Sequence, residues 1–213
     1  MELICVRHGR TAWNALRRFQ GQTDIPLDDE GLAQAQALAA HLSGEHFDLA
    51  LASDLVRARV TAETFLAEHD VALEVTPQLR EMHFGLWEGL TWDEIVARWP
   101  GLDAAGEKVP MYYTAEGGES WDELCTRVDT LLRATAARMG PADRALIVSH
   151  AGVMHGAVRS LTTTGTGPGA EQVALGLRFS PGGIVRARGS FEAGWELTAV
   201  NETAEPPAAA RSV

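Results

Sequence analysis

Lysine is nearly absent from this 213-residue chain: Lys108 is the only one, so arginine supplies almost all of the positive charge. A biased genome composition is enough to explain that usage. Arginine's planar fork suits phosphate recognition, but only individual placements can argue for it. Positive charge of any kind is scarce, with 18 Lys and Arg against 29 Asp and Glu and a formal net charge of -11. A broad basic face binds polyanions by neutralising many phosphates, so this balance argues against nucleic acid as a partner. No apolar run approaches the roughly 20 residues that cross a bilayer, which argues against a membrane span. Met1-Glu2-Leu3 puts no basic segment ahead of its apolar residues, as a signal peptide would, so a cytoplasmic location is the expectation. Cysteine is limited to Cys5 and Cys125, without a CxxC or a Cys/His cluster, so both read as core packing rather than disulfide or zinc. There is no HExxH, no DxDxT-like aspartate pair and no Walker loop, so no motif asks for a metal or cofactor.

What remains is ordinary for a globular protein, 46% hydrophobic and 22% charged, and long enough to bury one sizeable core. The apolar runs Leu3-Ile4-Cys5-Val6 and Ala145-Leu146-Ile147-Val148 read as buried strands, with Leu49 to Ala52 and Ala72 to Val75 as two shorter ones. Between them lie helical patterns. Asp28 or Asp29 can cap a helix to about Leu42 that presents Leu32, Ala35, Ala39 and Leu42, and Asp54 can cap one presenting Ala58, Ala62, Phe65 and Leu66. Ser120 to Glu123 forms a capping box ahead of a helix to about Met139, and Met154, Ala157, Val158 and Leu161 mark another after Gly152.

The pattern degrades between about 84 and 118, where a short helix near Thr91 to Trp99 sits in an insertion expected to cover the site. The last third turns antiparallel, with strands at Val173 to Phe179 and Ile184 to Arg188 around a Pro181-Gly182-Gly183 turn, and an edge strand at Trp195 to Val200. The tail from about 203 has no periodicity and is expected to fray. These elements predict an α/β fold: a three-layer α/β/α sandwich on a mostly parallel central sheet, with C-terminal antiparallel strands, all within one domain over 1–213.

Two histidines follow predicted buried strands: His8 in Arg7-His8-Gly9, and His150 after Ser149. Ligands of open α/β sheets bind at the carboxyl ends of strands, so two histidines delivered there suggest one site. Arg57 falls in the first turn of the helix after the second strand, at the same sheet edge, where an arginine fork and free helix N–H groups can face an anion. Taken singly, Arg57 reads more readily as a surface residue paired with Asp54 or Glu63 on its own helix. Together the two histidines, Arg7, Arg57 and the Asn14 amide would make a cationic pocket inside an acidic protein.

With these residues in view, the chain resembles the histidine phosphatase superfamily, also called phosphoglycerate-mutase-like. The resemblance rests on ordered blocks: Arg7-His8-Gly9-Arg10-Thr11 with Asn14, Gln20-Gly21, and Ser53-Asp54 with Arg57-Ala58. Then come Leu79-Arg80-Glu81, Gly85-Leu86-Trp87-Glu88-Gly89, Gly117-Gly118-Glu119-Ser120 and Ser149-His150-Ala151-Gly152. It implies metal-independent hydrolysis of small phosphomonoesters of sugar- or glycerate-phosphate type, with no cofactor. His8 would be the nucleophile that becomes phosphorylated, and Arg7, Arg57 and His150 would meet the charge on the phosphoryl group. Glu81 would be the general acid and later the base, which requires its pKa to rise from about 4.3 through desolvation or a nearby phosphate.

Arg10, Asn14, Gln20, Gly21 and the Ala151 N–H would contact substrate. At position 10 the family often has an acidic residue or glutamine, so Arg10 is either an extra cation for a second anionic group or a solvent-facing residue. A cofactor-dependent phosphoglycerate mutase is the alternative, though such mutases typically carry a larger insertion. A non-catalytic phosphate-binding module would be expected to lack one of these groups. The partner implied is a small phosphorylated metabolite. Whether the protein is a monomer or a homodimer stays open.

Overall fold

In the computed structural model, which describes residues 1–102, 113–163 and 176–204, β1 (Glu2–Arg7) lies at the centre. It is flanked by β4 (Arg144–Ser149) on one side and β5 (Ile184–Ser190) on the other. Outside β4 come β2 (Leu49–Ser53) and β3 (Leu73–Thr76), and outside β5 comes β6 (Gly194–Glu202), giving the order β3-β2-β4-β1-β5-β6. The pairings among β1 to β4 are parallel, and those of β5 with β1 and β6 are antiparallel.

Strand side chains alternate between the two faces, and each face has its own core. Leu3, Cys5, Ala145 and Ile147 pack under α5 (Trp121–Ala136) and α6 (Ala151–Thr163). Ile4, Val6, Leu146 and Val148 pack under α2 (Asp29–His41) and α3 (Val56–Leu66). This is an α/β/α sandwich. Both cysteines are buried within the first core, and burial pushes the Cys5 thiol up to about 12.

Several elements differ from the sequence expectation for identifiable reasons. In α2 it is Gly31, Ala35 and Leu38 that face the core, while Leu32 is 41% exposed, because the helix meets the β1 loop through the glycine. Asp54 does not cap α3. Its carboxylate is taken by Arg80 at 2.6 and 2.8 Å, and the Asp24 side chain accepts the Val56 N–H instead at 2.7 Å. Helix α5 stops at Ala136 rather than near Met139. Residues 176–179 are not a strand, and 173–175 lie outside the described residues. The C-terminal hairpin is β5 with β6, turning at Phe191 to Ala193.

The described part of the 84–118 stretch carries a small core of its own. Trp87, Ile95 and Ala115 are buried among Phe19, Phe84, Leu90 and Trp92, around α4 (Trp92–Arg98), which Thr91 and Glu94 cap reciprocally.

Candidate active site

Register explains why the two histidines meet. Arg7 of β1 lies beside Ser149 of β4, so the next residue on each strand leaves the sheet at the same level. The His8 N–H donates to the Ser149 carbonyl at 2.9 Å, and the two imidazole centroids are 5.1 Å apart. Both rings are buried. Gly9 follows because the backbone of Gly31 presses on it: a β-carbon at either glycine would collide with backbone of the other loop.

The hydrogen bonds assign opposite roles to the rings. His8 Nδ1 lies 2.6 Å from the Gly9 carbonyl, which only accepts, so Nδ1 carries the proton and Nε2 keeps its lone pair. His150 Nδ1 is 3.3 Å from Arg57 Nε, which only donates, so here the proton sits on Nε2. That Nε2 is buried without a hydrogen-bond partner among the described residues, as is Arg7 Nε. Each such buried donor costs about 1–3 kcal/mol until an acceptor meets it. An anion that reached both atoms would satisfy them.

Arg57 is completely buried yet not solvated by carboxylates. Its Nη1 and Nη2 donate to the carbonyls of Thr23 at 2.8 Å and Gly21 at 2.7 Å. Burial draws the guanidinium down to about 10, opposed by Glu81, Asp24 and Glu88. The Arg7 Nη1 donates to the Phe179 carbonyl at 2.6 Å, and burial lowers its pKa too, opposed by Glu81. Burial, reinforced by Arg57 and Arg7, holds the His8 imidazole well below its usual 6.5. His150 is held down likewise, by burial, Arg57, His8 and Arg7. A neutral His8 imidazole beside Arg7 and the buried Arg57 is therefore the ground state.

Glu81 lies within electrostatic reach of both arginines. Arg80 goes to Asp54, and Arg10 to Asp28 and Glu30, so neither takes the Glu81 carboxylate. Instead it accepts the Gly152 N–H at the start of α6, 3.0 Å from Oε1, and the Met82 N–H at 3.0 Å. A β-carbon at Gly152 would strike Oε1. A cleft of about 400 Å³ opens on this side, lined by Gln22, His83, Gly118, Glu119 and Glu123.

The other candidates are placed unevenly. Gly21 reaches the cradle through its carbonyl. Ala151 is the first residue of α6, beside His150. Asn14 spends its side-chain oxygen on the Thr11 N–H at 3.1 Å, capping α1 (Ala12–Ala15). Gln20 is buried, its amide oxygen without a hydrogen-bond partner among the described residues. The Arg10 charge is already met by two carboxylates. His155 packs edge-on against Phe179 at 4.7 Å. Among the described residues no group of three or more His, Cys, Asp or Glu could hold a metal ion, and no helix is long and apolar enough to cross a membrane.

Two supports escape a reading of residue types. Thr61 accepts the Gly9 N–H at 3.2 Å and donates to the Arg57 carbonyl at 2.7 Å, tying the loop after β1 to α3. Glu88 accepts the N–H groups of Gln22 and Thr23 at 2.9 Å, and so holds the loop whose carbonyls hold Arg57. The Gly-Leu-Trp-Glu-Gly block was the only signal for Glu88, and it named no role.

Residues 3–174 match the histidine phosphatase superfamily (branch 1). The chain belongs to that superfamily. A metal-independent phosphoserine phosphatase from Arabidopsis thaliana is 36% identical over 164 residues, covering 72% of this chain and 65% of that protein. A probable phosphoglycerate mutase from Photorhabdus laumondii is 36% identical over 156 residues, covering 70% of this chain and 69% of that protein. Among solved structures, a mycobacterial glucosyl-3-phosphoglycerate phosphatase in complex with VO3 superposes with a TM-score of 0.82 at 29% identity, covering 95% of this chain and 99% of the other. This member of the superfamily thus shares sequence and fold with phosphatases acting on small phosphorylated compounds.

Proposed function

We propose that this histidine phosphatase is a phosphoric monoester hydrolase that cleaves small phosphomonoesters through a phosphohistidine on His8, without a metal. The opposite tautomers of the two histidines carry the reading: one bare Nε2 able to attack phosphorus, one Nε2–H able to donate to a phosphoryl oxygen. In the first transfer the His8 Nε2–P bond forms as the ester P–O bond breaks, and Glu81 gives its proton to the departing oxygen. In the second, water attacks phosphorus, Glu81 takes the water's proton, the P–N bond breaks and His8 returns neutral. Arg7 and Arg57 supply fixed positive charge, and the neutral His150 an Nε2–H donor, throughout. Asn14, Gln20, Gly21, Arg10 and the Ala151 N–H remain candidates for substrate contact. The single-domain arrangement, with 84–118 beside the mouth, belongs to the same reading.

Phosphoserine and glucosyl-3-phosphoglycerate, named for the relatives, are phosphate esters of carboxylate-bearing three-carbon units, and we extend the substrate class to such compounds. A mutase is the second reading, favoured by the 36% identity to the probable phosphoglycerate mutase. It would pass the phosphoryl group to a second alcohol instead of water. A panel of phosphorylated metabolites assayed in EDTA tests the proposal. The expected result is phosphate release that survives chelation and falls by about a thousandfold or more in His8→Ala. Activity that outlasts the substitution, or that needs the metal, refutes it.

A further inference from the structure

Glu81 differs from the other reacting groups in standing on a loop beyond β3, away from the paired strand ends that carry His8 and His150. Something must hold that loop. The Gly-Gly-Glu-Ser block supplies Glu119 just ahead of α5, and α5 supplies Arg127; their side chains are 15% and 16% exposed. They meet as a two-point fork, Nε to Oε1 at 2.9 Å and Nη2 to Oε2 at 2.8 Å.

Each partner then grips the Glu81 loop. Arg127 Nη1 donates to the carbonyls of Gln78 at 2.6 Å and Arg80 at 2.9 Å, the second being the peptide that joins Arg80 to Glu81. Glu119 Oε2 accepts the His83 N–H at 3.3 Å, and the Glu119 N–H donates to the His83 carbonyl at 2.8 Å. The backbone is thus fastened immediately before Glu81 and two residues after it. Lysine could not hold the carboxylate and the carbonyls together, because it lacks the planar fork.

We infer that the Glu119–Arg127 pair is a positioning clamp that sets where Glu81 delivers its proton. This rests on the phosphatase reading above. The pair acts through Glu81, so its loss should matter only where the leaving group needs a proton. An alkyl alkoxide needs one, whereas a nitrophenolate departs without it. A displacement of about 1 Å in a reacting group can cost on the order of a hundredfold.

The test compares kcat/KM, which reports events through the first P–O cleavage, for β-glycerol phosphate and p-nitrophenyl phosphate. Wild type, Glu81→Gln, Arg127→Lys and Glu119→Gln are measured, with melting temperatures alongside. Glu81→Gln sets the scale of the selective loss. Arg127→Lys should lose about 30-fold on the alkyl ester and under about 3-fold on the aryl ester. Should Arg127→Lys not fold, Glu119→Gln is read by the same ratio. Equal losses on the two esters, as a smaller folded fraction would produce, overturn the clamp while leaving the phosphatase reading intact. A wild-type enzyme that cleaves neither ester overturns both.

Discussion

The proposed phosphate cradle and the proposed proton-donor loop are built by different means. The cradle stands on two adjacent parallel strands whose register places Arg7 beside Ser149, and its polar side chains bond mainly to backbone carbonyls and to each other. The proton-donor loop follows an edge strand, and side chains from α5 and the preceding turn hold it. Backbone register tolerates little variation, whereas a loop held by side chains can be re-sited by a few substitutions. The half proposed to handle the phosphoryl group is therefore fixed by strand register. The half proposed to meet the leaving group, next to the Gln22–His83–Glu119 cleft, is where we expect substrate preference to be altered.

That contrast can be broken from either side. Arg57→Lys should have the largest effect, lowering kcat/KM by about two to three orders of magnitude on alkyl and aryl esters alike, since both need the cradle. A loss confined to alkyl esters would mean that the arginine serves the leaving group. Glu88→Gln should be milder, raising KM about 3- to 10-fold with a smaller change in kcat, because it loosens the loop whose carbonyls hold Arg57. An unchanged KM would show that Arg57 stays seated without it.

The smallest effect concerns pH. Folding lowers the pKa of His8 and His150 from 6.5, so below that pH the unfolded chain takes up protons that the native state refuses. Their contribution to stability is complete above 6.5 and is lost as pH falls. In phosphate-free buffer the melting temperature should therefore drop between pH 7 and pH 5, and less so in a His8→Asn/His150→Asn double variant. Equal drops would show that other groups set the acid limb.

Much of this was legible in the residues themselves. Apolar runs located the central strands, the Ser120 and Glu123 spacing marked α5, and each histidine stood at a strand end. Which strands are neighbours cannot be read from local periodicity, because register depends on tertiary pairing; Arg57 reached the sheet edge by its place after the second strand, but only the ordered family blocks brought Glu81 there. Asp54 illustrates the limit. A capping aspartate and an aspartate awaiting a distant arginine look identical in sequence, and Arg80 decided between them. Arg10 likewise reads as a pocket cation until Asp28 and Glu30 arrive from the cap and first turn of α2. The insertion expected to cover the site instead spends aromatics on its own packing, with Trp87 and Trp92 meeting Phe19 in a small core.

The central claim is that the two histidines are unequal, and trapping the intermediate tests it most directly. Wild-type protein is mixed with a phosphoryl-labelled ester, quenched within milliseconds in alkali, where phosphohistidine persists, and digested for peptide mass mapping. The label should sit on His8, remain there in His150→Ala, and be absent from His8→Ala. A label on His150, or turnover with no labelled histidine at any quench time, would contradict the account.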